Sequence, residues 1–252
     1  MEASLFKYTM PTDTISCMES NYNESDVGMV NRGIYRVIYW FKRKWQQIRI
    51  FIDNFFINRI EKKFKELAPK AIKALANKPG QTASNVPKCI ADGTIVNNFK
   101  NIINKLLDIE TTKNLVNNVA NFYKGVTINL DNTDTTVTKD GLKKILKLDD
   151  KSPQVVMEFD VDNKPWDVAK GIMALRPELK KQIANIEKQY VDVTKLGKGN
   201  KTEAEYKLVL KRVATIYMKN LRLIFSEILV VVKKLLEMTN AIIKKGSKEE
   251  KE

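Results

Sequence analysis

The sequence predicts a mainly α protein, with two long amphipathic helices flanking a smaller central α(+β) module. Three observations carry this. Apolar residues recur at threes and fours from Val27 to Leu67 and again from Tyr206 to Ile242, and β-branched alternation is confined to a short interior region.

Residues 1–26 form an acidic, turn-rich leader. Pro11, Asp13, Ser16, Glu19, Asn21, Asn23, Glu24 and Asp26 supply breakers and caps without a sustained period, so no packed element is expected. The first long helix follows, with Val30, Ile34, Val37, Phe41, Trp45, Ile48, Ile52, Phe55, Ile60, Phe64 and Leu67 on one face. Asp26 is the expected N-cap. Pro69 is expected to break the helix, because proline removes a backbone donor, and a short second helix should stop at Pro79-Gly80. Residues 27–80 are thus one unit, and the polar stretch QTASNVPK reads as a linker.

The central module spans 92–196. DGTIVNNFKNIINKLL and TTKNLVNNVANFYKG read as two antiparallel helices, with Asp92 or Thr94 and Thr111 or Thr112 as caps and Gly125 as a stop. VTINL, TTVT and QVVMEFDV alternate as strands do, around a short helix at GLKKILKL. A helical region from Pro165 is interrupted near Pro177, and KLGKGNK is a loop. The last segment, 202–245, predicts a helix of roughly 60 Å, opened by the cap and carboxylates of TEAE, before a charged tail at 246–252. Each long helix carries an apolar stripe too long to bury against a short element, so the two are expected to be antiparallel or crossing partners.

Composition narrows the function. The chain has 252 residues, 44 Lys+Arg against 30 Asp+Glu, a formal charge of +14 and no His. A field of that sign attracts polyanions. The absence of His removes the usual proton-transfer group near neutral pH and the commonest transition-metal ligand. Cys17 and Cys89 stand far apart and in no CxxC pair, which suggests neither a zinc site nor a disulfide framework. Asp131, Asp134, Asp160 and Asp162 lack the spacing of a calcium loop and read as solvated turn carboxylates. No phosphate-cradling glycine motif is present; LGKGNKT has too few glycines in the wrong order. The acidic second residue and the lack of a continuous apolar stretch near the N-terminus argue against a secretory signal, and the longest uncharged apolar runs, VIYWF and ILVVV, are too short to span a bilayer. These observations predict a non-enzymatic protein without cofactor or metal.

The first helix is the most informative stretch. YRVIYWFKRKWQQIRIFIDNFF holds two Trp, four Phe and five Lys/Arg, and from Val27 to Leu67 ten cations stand against three carboxylates. Arg32, Arg36, Lys42, Arg43, Lys44, Arg49, Arg59, Lys62 and Lys63 are the expected polyanion-binding residues. Three readings fit: phosphates neutralised without reading bases; an anionic membrane surface with Trp40, Phe41, Trp45, Phe51, Phe55 and Phe56 at the acyl boundary; or partner helices, including further copies of the chain, packed on the apolar stripes.

The leader containing CMES, the run GMVNRGIYRVIYWFKRKWQQIRIFIDNFF and the terminal NLRLIFSEILVVVKKLLEMTNAIIKK together resemble the internal head or prohead-core proteins of large tailed bacteriophages. The resemblance is one of pattern and covers about residues 16–67 and 203–245. It implies a structural protein made in the bacterial cytoplasm and packaged inside the phage head, associating non-specifically with DNA or with other virion proteins. It also implies trimming by a head protease that cuts after Glu. Cys17-Met18-Glu19 stands at the matching place, with Cys17 where Leu, Ile or a small residue is typical. Ser20 would become the new N-terminus, and loss of residues 1–19, with Glu2, Asp13 and Glu19 against Lys7, would raise the charge from +14 to +16.

Overall fold

The computed structural model describes residues 29–107, 138–159, 165–191 and 203–247. The leader with Glu19 and Ser20, the second helix of the expected antiparallel pair, the segment VTINL, TTVT up to Val137, and Asp131, Asp134, Asp160 and Asp162 lie outside these residues. In chain order the elements are α1 (Met29–Asn54), a π-helical segment (Phe55–Glu61), α2 (Lys62–Asn77), β1 (Gln81–Pro87), α3 (Lys88–Ala91), α4 (Ile95–Leu106), α5 (Lys139–Leu146), β2 (Gln154–Phe159), α6 (Pro165–Met173), α7 (Leu175–Val191) and α8 (Glu203–Ser247). Among the described residues the fold is mainly α with one small sheet.

The first long helix does not break at Pro69. It runs from α1 through the π segment into α2, with Pro69 inside α2 and exposed to water. Proline forfeits one bond there, at a cost of about 3 kcal/mol. Burial of Phe64, Ala71, Ala74 and Leu75 around it opposes that cost, and a single large apolar side chain contributes about 1.5–3 kcal/mol. The π segment has its own cause in the sequence. Buried positions 41, 45, 48, 52 and 55/56 follow the α period, whereas 60, 64, 71 and 74/75 lag that series by about one residue. A wider turn absorbs the extra residue and keeps the α2 stripe on the same side as that of α1.

That stripe packs on α8, and the two long helices are parallel. Trp45 lies 5.4 Å from Tyr217 and Phe55 stacks on Phe225 at 4.3 Å. Near the far end, a Cβ placed on Gly246 would come within 2.6 Å of the Ala74 Cβ. Both numberings therefore rise together, and the expectation of antiparallel or crossing partners is corrected. Neighbouring antiparallel helices need only a short loop, but parallel ones need the chain to travel back along their length. The residues between Asn77 and Glu203 make that return.

α8 is the spine of the molecule. Its buried residues include Leu210, Tyr217, Leu221, Ile224, Phe225, Ile228, Val231, Leu235, Met238 and Ile242, a stripe wide enough to face α1–α2 on one side and α4 and α6 on the other. Two polar side chains on this helix close the end of α4: the Tyr217 hydroxyl donates to the Leu107 carbonyl at 2.6 Å, and Asn220 Nδ2 donates to that of Leu106 at 2.9 Å. Carbonyls that α4 cannot satisfy internally are satisfied from outside. Gly246 and Ser247 belong to the helix rather than to a frayed tail.

QTASNVP, read as a linker, is strand β1. It pairs antiparallel with β2, Gln81 opposite Phe159 and Pro87 opposite Gln154, with a bulge between Ala83 and Val86. Asn85 takes the left-handed conformation within that bulge, at φ 56°. Strand β2 was legible from its alternation; β1 has one buried aliphatic, Val86, and is a strand because β2 supplies its partner. The α6–α7 interruption falls at Ala174, and Pro177 sits in the first turn of α7, where its missing donor costs nothing.

Candidate polyanion-binding face and groove

Burial sorts the first helix into functional sides. Phe41, Trp45, Phe55 and Phe56 are at most 5% exposed, and they pack within the chain. Phe51 is half-buried against Phe225, leaving Trp40, at 36%, as the exposed aromatic among the six expected at an acyl boundary. Intramolecular packing already removes most of that row from water, so the face expected to enter a membrane is the face that holds the fold together.

Of the expected cations, Arg36, Lys42, Arg43, Lys44, Arg59, Lys62 and Lys63 are exposed. The side chain of Arg32 lies outside the description. At 100° per residue, with one residue subtracted for the π segment, Arg36, Arg43, Arg59 and Lys62 fall within an arc of about 60° directly opposite the core line. They form a ridge roughly 39 Å long at 1.5 Å rise per residue.

Arg49 departs from the expectation. Its guanidinium is half-buried and pairs with Glu187 of α7. Beside it the Trp45 indole Nε1 donates to the Ile183 carbonyl at 2.7 Å. Asp53, one turn on, accepts from Arg176 Nε at 2.7 Å and from Lys180 at 3.0 Å. Burial works to raise the Asp53 pKa, but the hydrogen bonds from Lys180 and Arg176 outweigh it and hold the carboxyl below its ordinary value. Arg49 and Asp53 thus bind α1 to α7, and the Arg49 guanidinium is engaged with Glu187 instead of standing on the exposed ridge. On the exposed side, Glu61 pairs with Lys65 at 2.5 Å, which lowers the Glu61 pKa.

A second feature was not legible in the sequence. Between α1 and α8, on the side away from α7, Trp40, Lys44, Gln47, Ile48 and Phe51 face Lys211, Ala214, Met218, Lys219, Arg222 and Leu223 across an open groove of about 820 Å³. Its floor is apolar and its rims carry four cations and no carboxylate among the described residues. Only the parallel arrangement of the helices brings these two sets together.

Two further buried groups, Cys89 and Glu227, carry chemistry of their own. Cys89 is enclosed, its thiol donates to the Lys147 carbonyl at 3.3 Å, and burial, reinforced by Asp92, pushes its pKa up to about 11. A thiol so placed is a poor nucleophile at neutral pH. Glu227 is 0% exposed, with one oxygen near the Ser226 hydroxyl and the other, Oε2, without a partner. Among the described residues no group of His, Cys, Asp and Glu could hold a metal ion, and no helix is long and apolar enough to cross a membrane. No protein family, curated protein or solved structure matches this chain.

Proposed function

We propose that this chain is a non-enzymatic structural protein that binds a polyanion, most simply duplex DNA, without reading its sequence. The observation that carries the reading is the division of the first helix: its aromatic row is buried while Arg36, Arg43, Arg59 and Lys62 line the opposite ridge. A row of cations along one helix face offers point contacts to phosphates and no shaped surface for base edges. The identity of the polyanion as packaged DNA, and a place inside a phage head beside other virion proteins, rest on the sequence resemblance alone.

The test is duplex DNA affinity across a salt series. Four ridge contacts predict a slope of log K against log salt of about −3.6, and Arg43→Gln with Lys62→Gln should reduce its magnitude by about 1.8. Unrelated duplexes should bind equally. A flat salt dependence, or strong preference for one sequence, refutes the proposal. Flotation with anionic vesicles in the absence of any DNA binding would transfer the ridge to lipid headgroups.

A further inference from the structure

We infer that the groove between α1 and α8 is a docking site for an acidic amphipathic helix of a partner protein. This surface is distinct from the ridge and does not depend on its reading. Phosphates need no apolar floor, yet here Trp40, Ile48, Phe51, Met218 and Leu223 line the bottom between cationic rims. Trp40 is 36% exposed and Phe51, Met218 and Leu223 are only half-buried, so apolar area at the seam between the two helices remains open to water.

The geometry selects the occupant. Trp40 to Phe51 spans about three helical turns, or roughly 17 Å, and Lys211 to Ser226 runs alongside in the same direction. Two parallel helices with a trough between them present the surface into which a third helix lays a stripe of residues spaced i, i+3, i+4 and i+7. Lys44 on one rim and Lys211 and Lys219 on the other flank that stripe with positive charge on both sides. A helix with Leu-like anchors bordered by Glu or Asp is complementary; one bordered by Lys or Arg is repelled.

The experiment uses the full chain and a synthetic helical peptide of about five turns, with Leu at i, i+3, i+4 and i+7 and Glu on the flanks. A twin peptide carries Lys in place of Glu. Anisotropy of a dye-labelled peptide reads affinity in every variant; because Trp45 and Trp166 are buried, Trp40 fluorescence in the parent chain should in addition shift to the blue when the groove is covered. The expected result is binding of the acidic peptide and not its twin. Affinity should fall at least about tenfold in Trp40→Ala and in Lys44→Glu/Lys219→Glu, and stay unchanged in Arg43→Glu/Lys62→Glu. These side chains are exposed, and a thermal melt checks that each variant is folded; should Trp40→Ala fail to fold, the rim pair decides.

Failure of the acidic peptide to bind, equal binding of both peptides, or equal weakening by the ridge variants overturns the inference. Two other occupants would also overturn it. Concentration-dependent dimers dispersed by Trp40→Ala would assign the groove to a second copy. Several-fold tighter peptide binding in Glu19→Gln/Glu24→Gln/Asp26→Asn would assign it to the chain's own acidic leader.

Discussion

Phe225 is the side chain on which the parallel pairing of the long helices turns. It is 3% exposed and meets three rings of the first helix: Phe55 stacked at 4.3 Å, Phe51 tilted at 5.4 Å and Phe56 edge-on at 6.0 Å. Phe225→Ala removes the ring's transfer free energy and leaves a void that rigid helices on both sides cannot fill, a loss of about 3–5 kcal/mol. Phe225→Leu restores most of the volume but not the ring contacts, each worth about 0.5–1.5 kcal/mol, and should cost roughly 1–2 kcal/mol. Urea unfolding followed by circular dichroism measures both. With m of about 2–3 kcal/mol/M, a 4 kcal/mol loss lowers the midpoint by about 1.3–2 M. A Phe55→Ala, Phe225→Ala cycle isolates the stacked pair, with a coupling of at least about 0.5 kcal/mol expected. A Phe225→Ala loss below about 1 kcal/mol, or additive behaviour of the two truncations, would refute the register and with it the placement of the groove.

Three further outcomes follow from single residues. Asp53→Asn at neutral pH should cost about 1–2 kcal/mol, since it unpairs Arg176 and Lys180 at a partly exposed site. Because the folded pKa of Asp53 is depressed, its contribution is present above the ordinary carboxylate pKa and lost as pH falls through the folded value; stability measured at mildly acidic and then strongly acidic pH should therefore show variant and parent converging. Glu227→Met should raise stability by about 1–3 kcal/mol, because a buried carboxylate oxygen without a partner is replaced by an apolar chain of similar length; a lower unfolding midpoint would mean that Glu227 holds a group the fold requires. Gly246→Ala should destabilise although alanine is the better helix former by about 1 kcal/mol, since the new Cβ would lie 2.6 Å from the Ala74 Cβ and 2.8 Å from the Ala74 backbone; a gain in thermal midpoint would show the helix ends apart.

The sequence by itself determined the helices and their inward faces. Val30 to Leu67 and Tyr206 to Ile242 hold an apolar period that only a helix places on one side. It likewise determined that the first helix is cationic, because charge is counted residue by residue. Tertiary structure decided the rest. A stripe has no arrow, so periodicity could not say that the long helices run parallel, nor that Trp40 and Lys44 would meet Lys211 and Lys219 across a groove. Pro69 reads as a breaker until burial on α8 outweighs its local cost, and QTASNVP reads as a linker until β2 completes its ladder. Arg49 is one cation among many in the sequence; Glu187 of α7 makes it a structural one. In each case a local preference worth a few kcal/mol is overruled by contacts with residues distant in the chain, and those contacts exist only once the chain has folded.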